Sequence, residues 1–109
     1  MQLREVAHAR CGDKGDTANI AVIAFDRRDY HGLAGWLTAA RVKAHLAEQV
    51  RGDVERYELP ALGALNFVLH KALGGGVTRS LSLDPHGKSL SSRLLSLEIP
   101  AEGWVERPR

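Results

Sequence analysis

Residues 10–19 read Arg-Cys-Gly-Asp-Lys-Gly-Asp-Thr-Ala-Asn, a polar stretch set between apolar segments. Gly12 and Gly15 allow positive φ and bring backbone N–H groups close to a ligand, and Lys14 adds a cation. These residue types suggest an anion cradle. Asp13 and Asp16 balance Arg10 and Lys14, however. The order Gly-Asp-Lys-Gly-Asp-Thr also lacks the Gly-Lys-Ser/Thr of a nucleotide phosphate loop. The alternating ligands and distant glutamate of a calcium loop are missing too. The competing reading is structural, with Asp13 and Asp16 folding back on backbone N–H groups to fix the loop. Cys11, the chain's one cysteine, could act as a nucleophile beside His8 or simply fill space as a small side chain.

A second glycine-rich stretch, "LGGGVTRS" at residues 73–80, carries Thr78 and Arg79 with no nearby acid. Gly74, Gly75 and Gly76 exceed the single glycine a helix end needs. An arginine on the apolar side of a strand calls for a carboxylate or a ligand anion. The alternative is a flexible connector. Just upstream, Asn66, Phe67 and His70 read as a polar-aromatic patch on a helix, Asn66 and His70 being four apart. That patch could contact a partner or ligand, or could be plain surface. His70 is the candidate proton-transfer group because its pKa lies near neutrality, with Asp13 or Asp16 to orient it or act as base. His31, His45 and His86 lack metal-ligand spacing.

The elements that must position these residues follow from periodicity. "NIAVIAFD" (19–26) is apolar on both faces, the mark of a central strand. "QLREVAHA" (2–9) is a weaker first strand. "HGLAGWLTAARVKAHLAEQV" (31–50) has helical spacing, with Leu33, Trp36, Leu37, Ala40, Ala44 and Ala47 in one stripe and Val42 and Leu46 outside it as surplus apolar surface. Residues 51–60 read as a turn and a strand stopped by Pro60. A second helix is expected over 61–73, burying Leu62, Leu65, Val68, Leu69 and Ala72. Residues 77–84 read as a strand. Residues 89–100 read as a helical turn that becomes extended near Leu97, and residues 101–109 as a tail. The sum is one α+β domain over residues 1–100, with helices on one face of a small, mainly antiparallel sheet. The other face of that sheet needs cover, which argues for a dimer or a partner.

Composition narrows the classes. The 109 residues carry a formal charge of +2 with no basic run, which excludes a nucleic-acid footprint. One cysteine excludes an internal disulfide and a cysteine-based zinc site and fits a reducing compartment. No apolar stretch reaches membrane-span length, and the first residues lack a signal-peptide core. The expected location is the cytoplasm, with no membrane contact and no metal.

"HARCGDKGDTANIAVIA" (8–24), "YELPALGALNFVLHKALGGGVTRSLSLDPHGKSL" (57–90) and "LSLEI" (95–99) resemble the AtuA-like ferredoxin-fold domain. That domain ends acyclic terpene utilisation (AtuA-type) proteins and also accompanies a large AtuA-type chain as a separate small protein. Serine often stands there at the position of Cys11, which favours the small-residue reading. The resemblance implies a ferredoxin-like sandwich: about four mainly antiparallel strands with two main helices packed on one face. It implies a setting in catabolism of terpenoid or branched acyl-CoA compounds, and no cofactor is expected. The matching motif positions are Arg10, Gly12, Asp13, Lys14, Gly15, Asp16, Thr17 and Asn19 in the first block. In the second they are Asn66, Phe67, His70, Gly74, Gly75, Gly76, Thr78 and Arg79. The expected role is an accessory subunit, not catalytic on its own, that presents two glycine-rich loops to a site shared with an AtuA-type protein. The alternatives are a homodimeric enzyme or binding protein for an anionic acyl or CoA-like ligand, and a ligand-free scaffold dimer.

Overall fold

β1 (Ala7–Lys14) and β2 (Thr17–Ala24) form an antiparallel hairpin whose register runs from Ala7↔Ala24 to Lys14↔Thr17. Only Gly15 and Asp16 make the turn, and Gly15 takes φ 63 to do so. A two-residue connection matches the strand twist only with positive φ, which glycine adopts without steric cost. The polar stretch over 10–19 is therefore the end of a hairpin, shaped by its cross-strand ladder, and not the long loop expected. The computed structural model describes residues 1–72 and 88–100. The expected strand at 77–84, the loop with Gly74, Gly75, Gly76, Thr78 and Arg79, and the tail at 101–109 lie outside these residues.

After β2 the chain enters a 3₁₀ turn (Arg27–Asp29) and two short helices, α1 (Tyr30–Trp36) and α2 (Ala39–His45). The single helix expected over 31–50 breaks at Leu37 and Thr38. Thr38 is extended, and its Oγ1 accepts a hydrogen bond from the Arg41 N–H at 3.1 Å, capping α2. The break resets the helical phase. Val42 and Leu46, expected outside the buried stripe, are fully buried, whereas Ala40, Ala44 and Ala47 are exposed.

β3 (Val54–Leu59) ends at Pro60 as expected. Of the segment 61–73, expected to be helical, residues 61–69 instead complete a 3₁₀ turn (Pro60–Leu62), pass Gly63 at φ 63, and form strand β4 (Ala64–Leu69). β4 inserts between β2 and β3, giving a wholly antiparallel sheet of order β1-β2-β4-β3. β2 is central, as its two apolar sides imply. Leu65, Leu69 and Ala72 are buried as expected and Phe67 joins them. Leu62, in the 3₁₀ turn, is exposed, and Val68 is half-buried because a strand's period of two turns it out of the core.

α3 (Lys88–Leu95) packs along β1, and α2 along β3. The chain then becomes extended. Leu97 O accepts from the Leu3 N–H at 2.9 Å, Ile99 N–H donates to Met1 O at 2.7 Å, and Gln2 bridges Glu98. The first residues are a 3₁₀ turn (Leu3–Glu5), so the expected strand at 2–9 starts only at Ala7. One core joins Ile20, Val22, Leu65, Phe67 and Leu69 of the sheet to Leu33, Leu37, Val42, Leu46 and Leu94 of the helical layer. Arg56 ties the layers together, its guanidinium donating to the Ala34 and Leu37 carbonyls at 2.6 and 3.1 Å. Those carbonyls close α1 and have no partner within the helix.

The result is an α+β fold of the ferredoxin-like kind, with a four-stranded antiparallel sheet and helices on one side. Three α-helices are among the described residues, where two main ones were expected.

Candidate functional site

Side chains alternate across a strand, so the register decides which residues share a face. Ala7, Ala9 and Cys11 of β1 face the helices, which places His8, Arg10, Gly12 and Lys14 on the opposite side. The same face takes Thr17, Asn19, Ala21 and Ile23 from β2, Asn66 and Val68 from β4, and Glu55, Tyr57 and Leu59 from β3. No described element covers it. Phe25, just beyond β2, is 64% exposed and stacks on His8 with ring centroids 5.5 Å apart.

The register also sets rows across the sheet. Gly12, Asn19, Val68 and Glu55 form one, and Arg10, Ala21, Asn66 and Tyr57 the next. A β-carbon on Gly12 would stand 2.8 Å from Asn19 Oδ1, so the Asn19 amide lies against the bare glycine. Its Nδ2 donates to Asn66 Oδ1 at 3.3 Å. Residues 47 apart in sequence thus share a hydrogen bond because β2 pairs with β4.

At the same end of the face, Tyr57 donates its hydroxyl hydrogen to Glu55 Oε1 at 2.6 Å, and His70 Nε2 lies 2.5 Å from Glu55 Oε2. The bonds from Tyr57 and His70 hold the Glu55 carboxyl below the usual carboxylate range, and the bond to Glu55 pushes the Tyr57 phenol up. The carboxylate that orients His70 is therefore Glu55, not Asp13 or Asp16. Asp13 pairs with Ala18 on the helix side of β1, and Asp16 sits in the turn, its carbonyl accepting from the Ala72 N–H at 3.0 Å.

Arg10 and Lys14 flank Gly12 on the exposed edge strand and make no ion pair among the described residues. Lys14 is cross-strand to Thr17 beside the Gly15–Asp16 turn. Two expectations are corrected here. Phe67 is not part of the patch with Asn66 and His70, because alternation turns it into the core, where it is fully buried. Cys11 packs against the core while His8 stands on the open face, so the two form no catalytic pair. Glu55 and Tyr57 were missed by sequence reasoning. The alternation in "VERYEL" puts both on one side of β3, but nothing local signals that His70 lies beside them.

A family model described as the AtuA ferredoxin-like domain matches residues 1–100. The chain belongs to that family. No curated protein and no solved structure matches it. In this AtuA ferredoxin-like domain, Arg10, Lys14, Thr17 and Asn19 of the first motif block meet Asn66 and His70 of the second on one sheet face. That face offers two carboxamides, an imidazole held by a carboxylate, and two cations to whatever lies against it. Among the described residues no group of three or more His, Cys, Asp and Glu could hold a metal ion, and no helix is long and apolar enough to cross a membrane. The helical layer of the domain carries a shallow groove lined by Trp36, Arg41, Ala44, His45, Leu97 and Pro100, with the Arg41 guanidinium 4.6 Å above the Trp36 ring. None of the candidate site residues lines it.

Proposed function

We propose that this domain is the accessory partner of a larger AtuA-type protein in the cytoplasmic catabolism of terpenoid or branched acyl-CoA compounds. It presents the hairpin end of its open sheet face, with Lys14, Thr17, Asn19, Asn66 and His70, to a site completed by that larger chain. The observation that carries this reading is the convergence of motif residues from distant segments on a face that no described element covers. Side chains buried by a fold need no such convergence on its outside, whereas a shared site does. The second glycine-rich segment, at 73–80, is the further element this reading assigns to the joint surface.

The test is co-expression with an AtuA-type large chain and size-exclusion chromatography of the product. Co-elution that weakens with Lys14→Glu and His70→Ala supports the reading. Two separate peaks at micromolar concentration overturn it.

A second reading rests on Arg10 and Lys14, two cations on either side of Gly12 that make no ion pair among the described residues. They suit an anionic acyl or CoA-like ligand bound by the domain itself, with His70 as the proton-transfer group and Glu55 positioning it. Isothermal titration of the isolated protein with CoA and several acyl-CoAs separates the two readings. Heat that disappears with Lys14→Ala favours the ligand, and no heat removes it.

A further inference from the structure

We propose that two copies of this domain associate through the open sheet face, stacked sheet on sheet about a two-fold axis that runs along the strands. The strand order places Arg10 and Lys14 on one margin of the face, β1, and Glu55 on the other, β3. A two-fold axis along the strands turns β1 of one copy over β3 of the other while keeping each cross-sheet row opposite itself. Glu55 shares its row with Gly12. The partner's Glu55 is thereby brought over the row of Gly12, between Arg10 and Lys14, where the Asn19 carboxamide lies against the bare glycine and no long side chain of β1 stands.

The other rows match equally well. Ile23 and Leu59 belong to the row of His8 and Ala64, an apolar row with Phe25 beside it. Rotation lays this row on its own copy, Leu59 meeting His8 and Ala64 meeting Ile23. Tyr57 comes over Arg10, and Asn66 over Ala21. A two-fold axis perpendicular to the strands would instead set Arg10 and Lys14 against their own copies, and like charges in contact oppose association. Charge therefore selects the orientation. Aligned packing of two sheets about 10 Å apart leaves room for the long side chains of Arg10 and Lys14 to reach across.

The size of the face sets the strength. Four strands about 4.8 Å apart, with about seven residues of about 3.4 Å each, make a plane of roughly 450 Å² before side-chain relief is added. A standard interface buries about 800 Å² per partner, so this one is a concentration-dependent dimer and not an obligate one. The association needs neither a larger chain nor a ligand. It covers the same face that the reading above offers to a larger chain, so it is the state of the isolated chain and its test is read without that partner.

The experiment is sedimentation equilibrium of the isolated full chain from about 1 to about 300 µM, with circular dichroism to confirm that each variant is folded. The wild-type chain is expected to dimerise within this range. Arg10→Glu and Glu55→Lys should each weaken the dimer about tenfold. Combining Arg10→Glu, Lys14→Glu and Glu55→Lys in one chain should restore it, because every copy then supplies both reversed margins. Glu48→Lys, exposed after α2 and away from the face, should change nothing. Arg10 makes no ion pair among the described residues, so its variant carries the test if Glu55→Lys fails to fold. A chain that stays monomeric throughout, a dimer indifferent to Arg10→Glu, or a triple variant no better than the single ones overturns the proposal.

Discussion

The carboxamide of Asn19 occupies the space in front of Gly12 that a side chain would take, leaving 2.8 Å between Asn19 Oδ1 and the point where a β-carbon would stand. From there its Nδ2 reaches Asn66 on the next strand. The glycine of the first motif block and the asparagines of both blocks thus form one unit spanning β1, β2 and β4.

That unit makes Gly12→Ala a conditional substitution. In the wild-type chain the new methyl displaces the Asn19 amide and breaks its bond to Asn66, costing about 1 kcal/mol. With Asn19→Ala already in place there is nothing to displace. The same Gly12→Ala change then stabilises the strand by up to about 1 kcal/mol through lost unfolded-state entropy. Urea denaturation of both single variants and the double variant gives the coupling. Strictly additive free energies would show that the contact contributes nothing.

Gly15 separates backbone cost from side-chain cost. It sits at φ 63, and a β-carbon there would meet nothing within 4 Å. Gly15→Val should therefore destabilise the hairpin by about 1–2 kcal/mol through conformation alone, and Gly15→Asn by much less, because asparagine tolerates the left-handed region. Equal losses in thermal denaturation for the two variants would contradict a backbone origin.

Much of the sheet was legible in the sequence. The two apolar sides of residues 19–26 implied a central strand, and the run closed by Pro60 implied β3. The misreading fell on residues 61–73, where leucine and alanine spacing fits a helix as readily as a strand. Leu65, Phe67 and Leu69 alternate with Asn66, Val68 and His70, a period of two that favoured the strand. What settles it is the pairing of β4 with β2 on one side and β3 on the other, a long-range effect that local propensity does not contain. The same pairing builds the candidate site. Arg10, Lys14, Asn19, Asn66 and His70 were recognisable as types, but the partnership of His70 with Glu55 depends on the position of β3 beside β4. The polar look of residues 10–19, taken for a loop, is the solvent side of a hairpin whose other side supplies Ala9, Cys11 and Ala18 to the core.

The break between α1 and α2 has its own test. Thr38 caps α2 through the Arg41 N–H, and Val42 and Leu46 depend on the resulting phase for their burial. Thr38→Ala should cost about 1 kcal/mol in urea denaturation, whereas Thr38→Asp or Thr38→Ser, which can accept the same bond, should cost a few tenths at most. If Thr38→Ala were neutral, the two helices would be held in phase by packing alone.

The Glu55 cluster makes stability and spectroscopy depend on pH in a defined direction. Glu55 is held below the usual carboxylate range in the folded chain by Tyr57 and His70. As pH falls, the unfolded chain takes up this proton first, so the contribution of Glu55 is present above the unfolded value and lost as pH drops through the folded one. The Tyr57 phenol is raised by Glu55, so its contribution is present at neutral pH and lost as pH rises through its folded value. Tyr30, the chain's other tyrosine, is raised too, but by burial, and its hydroxyl has no hydrogen-bond partner among the described residues. Ultraviolet titration of the folded protein should therefore show both phenols ionising above the ordinary tyrosine range. Glu55→Ala should return one of the two towards that range and flatten the loss of stability in acid. Tyr57→Phe should remove the same phenol from the titration. Two phenols that stay displaced in Glu55→Ala would mean that Tyr57 owes its shift to something other than this carboxylate.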